Sequence, residues 1–229
     1  MDFIDVIQGG DRMMDIIDVA EKNGLYLQGH APFVSGRALS AYLCGGPNTC
    51  HESRTAEEAL EKMRSGMRVD ARDSSITKNV EAIWSGVKDF RFFDNFCLCT
   101  DDREADDILH NGHIKDVVRA AIRYGMEPVA AIKSATLNSA REAGLQNLGA
   151  VAPGYRADLV LLSSLKKVKV EQVYKDGVPV EEALAACRPA PDPARVTDVK
   201  EIAGRGVQAV VDGRTVLAGN QKLMDQFQI

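Results

Sequence analysis

An α/β fold with largely parallel strands is predicted by three observations on these 229 residues. Short apolar runs alternate with helix-patterned segments from residue 1 to about 148, and polar residues stand just past several of those runs. The composition, 45% hydrophobic and 27% charged, suits a globular chain with a substantial core.

Taken in order, residues 15–22 put Ile16, Ile17, Val19 and Ala20 on one helical face, and Gly24 closes the segment. Leu25-Tyr26-Leu27 predicts a short buried strand entering a loop at Gly29-His30. Ser35 is placed to cap a helix through 38–43, which Gly45-Gly46-Pro47 stops. Thr55 and Glu58 have capping-box spacing, so a helix over 56–64 ending at Gly66 is expected. Residues 67–69 predict a further strand and 79–87 a helix. Phe96-Cys97-Leu98-Cys99-Thr100 predicts a buried strand leading straight into Asp101-Asp102. Val117, Val118, Ala121 and Ile122 make 114–124 strongly amphipathic, and helical pieces over 126–135 and 139–145 follow.

The texture changes after Gly149. Residues 157–162 and 168–174 predict strands, with turn chemistry at Lys175-Asp176-Gly177, so 149–182 is expected to be β-rich. Pro189, Pro191 and Pro193 at alternate positions predict a linker over 183–195. Residues 196–229 hold a second hairpin pattern around Asp212-Gly213 and then a short helix.

Charge and cysteine usage exclude several classes. A net charge of -5, from 28 basic and 33 acidic residues, argues against a general nucleic-acid binder. Lys166, Lys167 and Lys169, the only dense basic cluster, fit an exposed strand or turn. No apolar run approaches the roughly 20 residues a membrane helix needs, and the opening MDFIDVIQGG lacks the pattern of a signal peptide. Five cysteines without a C-x-x-C pair predict reduced thiols and a cytoplasmic setting.

The chemistry concentrates after three apolar runs: His30 follows LYLQG, His51 follows NTC and Asp101 follows FCLCT. In a parallel barrel, residues past the carboxyl ends of different strands converge on one face. Two imidazoles and a carboxylate there would suit a divalent transition metal, which lowers the pKa of bound water. The same residues fit a plainer account, with the histidines hydrogen-bonded in loops and Asp101-Asp102 capping a helix. Spacing leaves both open. His110 and His113 flank Asn111-Gly112, which favours a turn over a ligand pair.

Local strings carry a resemblance. Gly29-His30-Ala31-Pro32, Cys50-His51-Glu52-Ser53, Cys99-Thr100-Asp101-Asp102-Arg103, Gly112-His113-Ile114, 135–140 (ATLNSA) and 148–160 (LGAVAPGYRADLV) resemble successive motifs of bacterial adenine deaminases in the amidohydrolase superfamily. The resemblance implies the carboxy-terminal half of a metal-dependent (β/α)8 hydrolase barrel over 1–148, with part of a small β domain over 149–182. It implies His30 and His51 as metal ligands after the fifth and sixth strands, and Asp101 as ligand and proton shuttle after the eighth. Glu52 and Asp102 become candidates for substrate contact. The implied reaction is adenine plus water to hypoxanthine plus ammonia, by attack at C6. The implied cofactor is a divalent metal, manganese or iron first and zinc second. A purine is the expected partner, with a homo-oligomer as a further possibility and neither nucleic acid nor membrane.

Other features of the family are absent from the sequence. There is no His-x-His pair, and Met1-Asp2-Phe3 resembles the stretch just after the segment carrying a bridging glutamate. A chain that starts inside the barrel, without its first four strands, is therefore expected to show little deaminase activity alone. Residues 201–220 resemble part of the nucleotide-binding domain of heavy-metal P-type ATPases and are expected to be a fused fragment; a hairpin explains the same glycines without a ligand. Two other functions stay open: another amidohydrolase acting on a cyclic amide, and a non-catalytic metal-binding or interaction remnant.

Overall fold

In the computed structural model, which describes residues 2–181, 193–202, 206–219 and 221–227, the chain divides into two compact units, Met1–Gly177 and Val178–Ile229. The first opens with three helices, α1 (Phe3–Gln8), α2 (Asp11–Lys22) and α3 (Gly36–Cys44). Strands β1 (Thr49–Cys50), β2 (Arg68–Arg72) and β3 (Phe96–Cys99) then form a parallel sheet in that order, with helix α4 (Ala56–Arg64) between the first two and α5 (Val80–Val87) between the last two. Helices α6 (Ala105–Asn111), α7 (Ile114–Arg123), α8 (Pro128–Ser134) and α9 (Leu137–Glu142) follow, and an antiparallel pair, β4 (Leu159–Ser164) and β5 (Lys169–Lys175), completes the unit.

Side chains alternate across the sheet, as pleating requires. Val69, Ala71, Phe96 and Leu98 point to one face, where Ala59 and Met63 of α4, Ile83 and Val87 of α5, and Val117 and Ala121 of α7 bury them. A second cluster joins Val6, Met13, Ile17, Leu39 and Tyr42 of the opening helices to Cys50 and Met67. Helix α4 starts as the Thr55 signal predicts: the Thr55 hydroxyl accepts from the Glu58 N–H at 3.2 Å. It crosses α5 closely because Gly86 has no side chain; a Cβ there would lie 2.4 Å from the Ala56 carbonyl oxygen.

The predicted strand over Leu25-Tyr26-Leu27 does not form. The segment is irregular, with Leu25 62% and Tyr26 41% exposed. Side-chain hydroxyls hold its end in place of a ladder: the Gly29 N–H donates to Thr49 Oγ1 at 2.7 Å and the His30 N–H to Tyr42 Oη at 3.0 Å. Asp101-Asp102 does not cap a helix either, since Asp101 has φ 51° and α6 begins at Ala105.

The second unit holds β6 (Val178–Pro179), a 3₁₀ turn (Pro193–Arg195) and an antiparallel sheet of β7 (Val196–Ile202), β8 (Gly206–Val211) and β9 (Arg214–Gly219), then α10 (Gln221–Gln226), which buries Leu223. Asp212 and Gly213, at φ 50° and 75°, make the β8–β9 turn. Most of the predicted linker, with Cys187, Pro189 and Pro191, and Gly204 and Asn220 of the tail motif lie outside the described residues. No helix among the described residues is long and apolar enough to cross a membrane.

Candidate metal centre and active site

The carboxyl ends of the strands gather the predicted polar residues along one rim. His30 reaches it because Gly29 lets the backbone lie against β1; a Cβ on Gly29 would stand 2.2 Å from the Thr49 carbonyl oxygen. His51 follows β1 directly. His30 Nδ1 and His51 Nε2 face each other at 3.3 Å, with ring centroids 5.2 Å apart. A carboxylate oxygen of Glu52 completes a set of three donor atoms within 4.8 Å of one another. Burial pushes both imidazoles below the usual histidine pKa, with Glu52 opposing the shift. Neutral imidazoles whose nitrogens face one another beside a carboxylate are a donor set that a divalent transition metal fits.

Asp101 reaches the same rim from β3. Its carboxylate pairs with the Arg72 guanidinium, whose other nitrogen holds Glu52 at 2.6 Å. One buried arginine at the end of β2 therefore spans the two carboxylates and fixes where each points. Asp102 turns outward; its carbonyl oxygen accepts from the Ser75 N–H at 2.9 Å, and its carboxylate acts on His51 through its charge. His113 stands apart from the pair, on Thr100 Oγ1 at 3.1 Å, and His110 lies on α6 against Asp106.

Sequence reasoning missed the groups that hold this rim. Lys62 is fully buried, and its Nζ donates to Glu58 at 2.5 Å, the Ala31 carbonyl at 2.6 Å and Ser53 Oγ at 3.2 Å. Glu58 in turn accepts from the N–H groups of Phe33 at 2.8 Å and Arg54 at 2.9 Å. This single ion pair on α4 thus ties the loop after His30 to the loop after His51. Asn79 does the same for β2, accepting from the Arg72 N–H at 2.7 Å and donating to the Ser53 carbonyl at 2.9 Å. The signal was present in the sequence: Glu58 and Lys62 are four apart on a helix whose exposed positions are plentiful.

A cavity of about 360 Å³ opens beneath the rim, lined by His51 and Asp101 above and by Gln28, Asp70, Cys97 and Glu142 below. Asp70 and Cys97 precede Arg72 and Cys99 by two residues, roughly 6.6 Å along the strands. Glu142 arrives from α9, which Asn138 anchors by donating to the carbonyls of Phe93 at 2.8 Å and Phe96 at 2.9 Å. Burial, and then the neighbouring Glu142 charge, push Asp70 well above the usual carboxylate range.

A model of the amidohydrolase family matches residues 1–180. The adenine deaminase of Petrotoga mobilis is 41% identical over 182 residues, covering 80% of this chain and 31% of that protein. Adenine deaminase 1 of Rhizobium etli is 38% identical over 224 residues, 98% of this chain and 39% of that protein, so this match continues through the second unit. The chain thus spans about a third of the length of the curated relatives it matches. Among solved structures, N-acetylglucosamine-6-phosphate deacetylase from Thermotoga maritima shares the fold, with a TM-score of 0.56 at 17% identity over 72% of this chain and 55% of that one.

Proposed function

Because this chain belongs to the amidohydrolase family, we propose that its first unit carries the carboxy-terminal half of a (β/α)8 barrel and part of an adenine deaminase site, converting adenine and water to hypoxanthine and ammonia. The observation that carries the proposal is the facing of His30 Nδ1 and His51 Nε2 at 3.3 Å above a cavity of about 360 Å³. His30 and His51 would hold a divalent cation, with Asp101 as the third ligand once it leaves Arg72. Manganese or iron is the first expectation and zinc the second. When bound, the metal supplies a water of lowered pKa.

The protein's own groups do the rest. Asp101 stands over the cavity on a left-handed turn, placed to accept a proton from the attacking water and return it to the departing amine. Arg72 pairs with both Asp101 and Glu52, so release of Asp101 to a cation would leave Glu52 still held beside the histidines. Glu52 and the exposed Asp102 are the groups for contact with a purine ring. Asn79 and the Lys62–Glu58 pair hold the loop that carries Glu52, and the Ser75 N–H holds the carbonyl of Asp102.

The four histidines include no His-x-His pair, so this rim offers donors for one cation rather than two. The 229-residue chain is expected to bind Mn²⁺ or Zn²⁺ without appreciable turnover. Incubating the metal-loaded chain with adenine, and separately with a cyclic amide, while following ammonia release is the test. Brisk ammonia release from adenine would overturn the expectation of inactivity, and release from the cyclic amide alone would overturn the substrate. Absence of cation binding that depends on His30 and His51 would overturn the site.

A further inference from the structure

We propose that Asp70, Cys97 and Glu142 form a second cation site, for one thiophilic divalent metal of the zinc or cobalt class, at the base of the cavity whose rim carries His30 and His51. Each residue can present one ligand atom so that all three atoms lie within 4.8 Å of one another. They converge from three elements, β2, β3 and α9, and all three residues are buried.

The second observation is an unmet charge. Asp70 is only 6% exposed, and its Oδ1 is sealed from solvent with no hydrogen-bond partner among the described residues. The carboxylates of the rim, Glu52 and Asp101, are by contrast both paired with Arg72. Glu142 lies beside both Asp70 and Cys97, and the ligand atoms of the three are already gathered around a common point. Two buried carboxyl groups this close need a proton or a cation between them. A divalent cation would meet Oδ1, the Glu142 carboxylate and the Cys97 sulfur together.

The surroundings favour such a ligand. Gln28 Nε2 donates to Glu142 Oε1 at 3.1 Å and orients that carboxylate. Asn138, four residues before Glu142 on the same helix, fixes α9 to the end of β3. The adjoining cavity can admit water to the remaining coordination positions. One sulfur with two carboxylates selects zinc, cobalt or ferrous iron over magnesium or calcium, which prefer oxygen alone. On binding, the Cys97 S–H bond breaks and the sulfur bonds the cation; the thiol proton and any proton held between the two carboxyl groups pass to solvent, and nothing is oxidised or reduced.

The test uses the full chain with His30→Ala and His51→Ala together, which removes the rim ligands, stripped with a chelator and titrated with Co²⁺. The expected result is one Co²⁺ per chain with a near-ultraviolet thiolate-to-cobalt charge-transfer band. Cys97→Ser, added to that background, should abolish the band, while Cys50→Ser and Cys99→Ser should keep it. Glu142→Gln should weaken Co²⁺ binding by about 10-fold or more. Circular dichroism checks each variant, and if Cys97→Ser unfolds, Glu142→Gln carries the decision. No bound Co²⁺, a band that survives Cys97→Ser, or an affinity unchanged by Glu142→Gln would overturn the proposal.

Discussion

The two faces of the β1–β2–β3 sheet are built from alternate residues of the same strands and have opposite characters. Toward the helices, Val69, Ala71, Phe96 and Leu98 join a dry cluster. The alternate register pairs, Asp70 with Cys97 and Arg72 with Cys99, lie on the other face, and Asp70, Cys97 and Cys99 line the cavity. The first face gains free energy by hiding carbon from water. The second loses some by burying charge, and offsets it only where a partner is supplied. Arg72 has partners in Glu52 and Asp101; Asp70 Oδ1 has none among the described residues. The polar face is the side that carries both proposed cation sites.

The sharpest way to break this contrast is to truncate neighbours on opposite faces. Phe96→Ala should destabilise the chain by about 3–5 kcal/mol in urea unfolding. Cys97→Ala, facing the cavity, should cost about 1 kcal/mol. Equal losses would mean that the two faces are packed alike.

The charged support comes next. Lys62→Ala leaves the Glu58 carboxylate buried without its cation and should cost about 3–5 kcal/mol, whereas Lys62→Met with Glu58→Gln should recover much of that loss. Because this pair ties the loops of His30 and His51, Lys62→Ala should also weaken cation binding at the rim by about 10-fold. Unchanged affinity in isothermal titration would make the pair a stability element alone. A smaller loss, about 1–3 kcal/mol, is expected for Asn138→Ala, which leaves two strand-end carbonyls without their donor.

The smallest effects are in pH dependence, and the histidines and Asp70 should give opposite signs. Burial lowers His30 and His51 below their ordinary value of 6.5, so their contribution is present above about pH 6.5 and is lost as the pH falls through their folded values. Asp70 is raised above 3.8, so its contribution is full at lower pH and is lost as the pH rises toward its folded value. Urea unfolding across a pH series should therefore show a shallower acid limb for His51→Gln. Asp70→Asn should gain stability relative to the parent chain toward neutral pH. Parallel curves for parent and variants would show that neither group is titrating as its burial implies.

Much of this fold could be read from local sequence. The Thr55–Glu58 spacing located the start of α4, the apolar stripe of Val117, Val118 and Ala121 located α7, and FCLCT located β3. These signals are local because a capping hydroxyl and a helical stripe act within one or two turns. Leu25-Tyr26-Leu27 failed for the same reason. Three apolar residues satisfy a strand pattern, yet pairing depends on a neighbour that the pattern does not contain. His30, His51 and Asp101 stood out as polar residues after apolar runs, but their order alone left a helix cap as good an account as a ligand.

What the sequence determined by itself was most of the elements, the family likeness and the polar residues placed at strand ends. These follow from capping, periodicity and residue type, which are properties of a few neighbouring positions. Only the tertiary structure decided which of those residues meet. It faced His30 with His51 and gave Asp101 to Arg72. It also buried Lys62 as the clasp between two loops and carried Glu142 to Asp70 and Cys97. Such meetings join residues tens of positions apart, and what fixes them is the close packing of helices on a sheet, which no local pattern encodes.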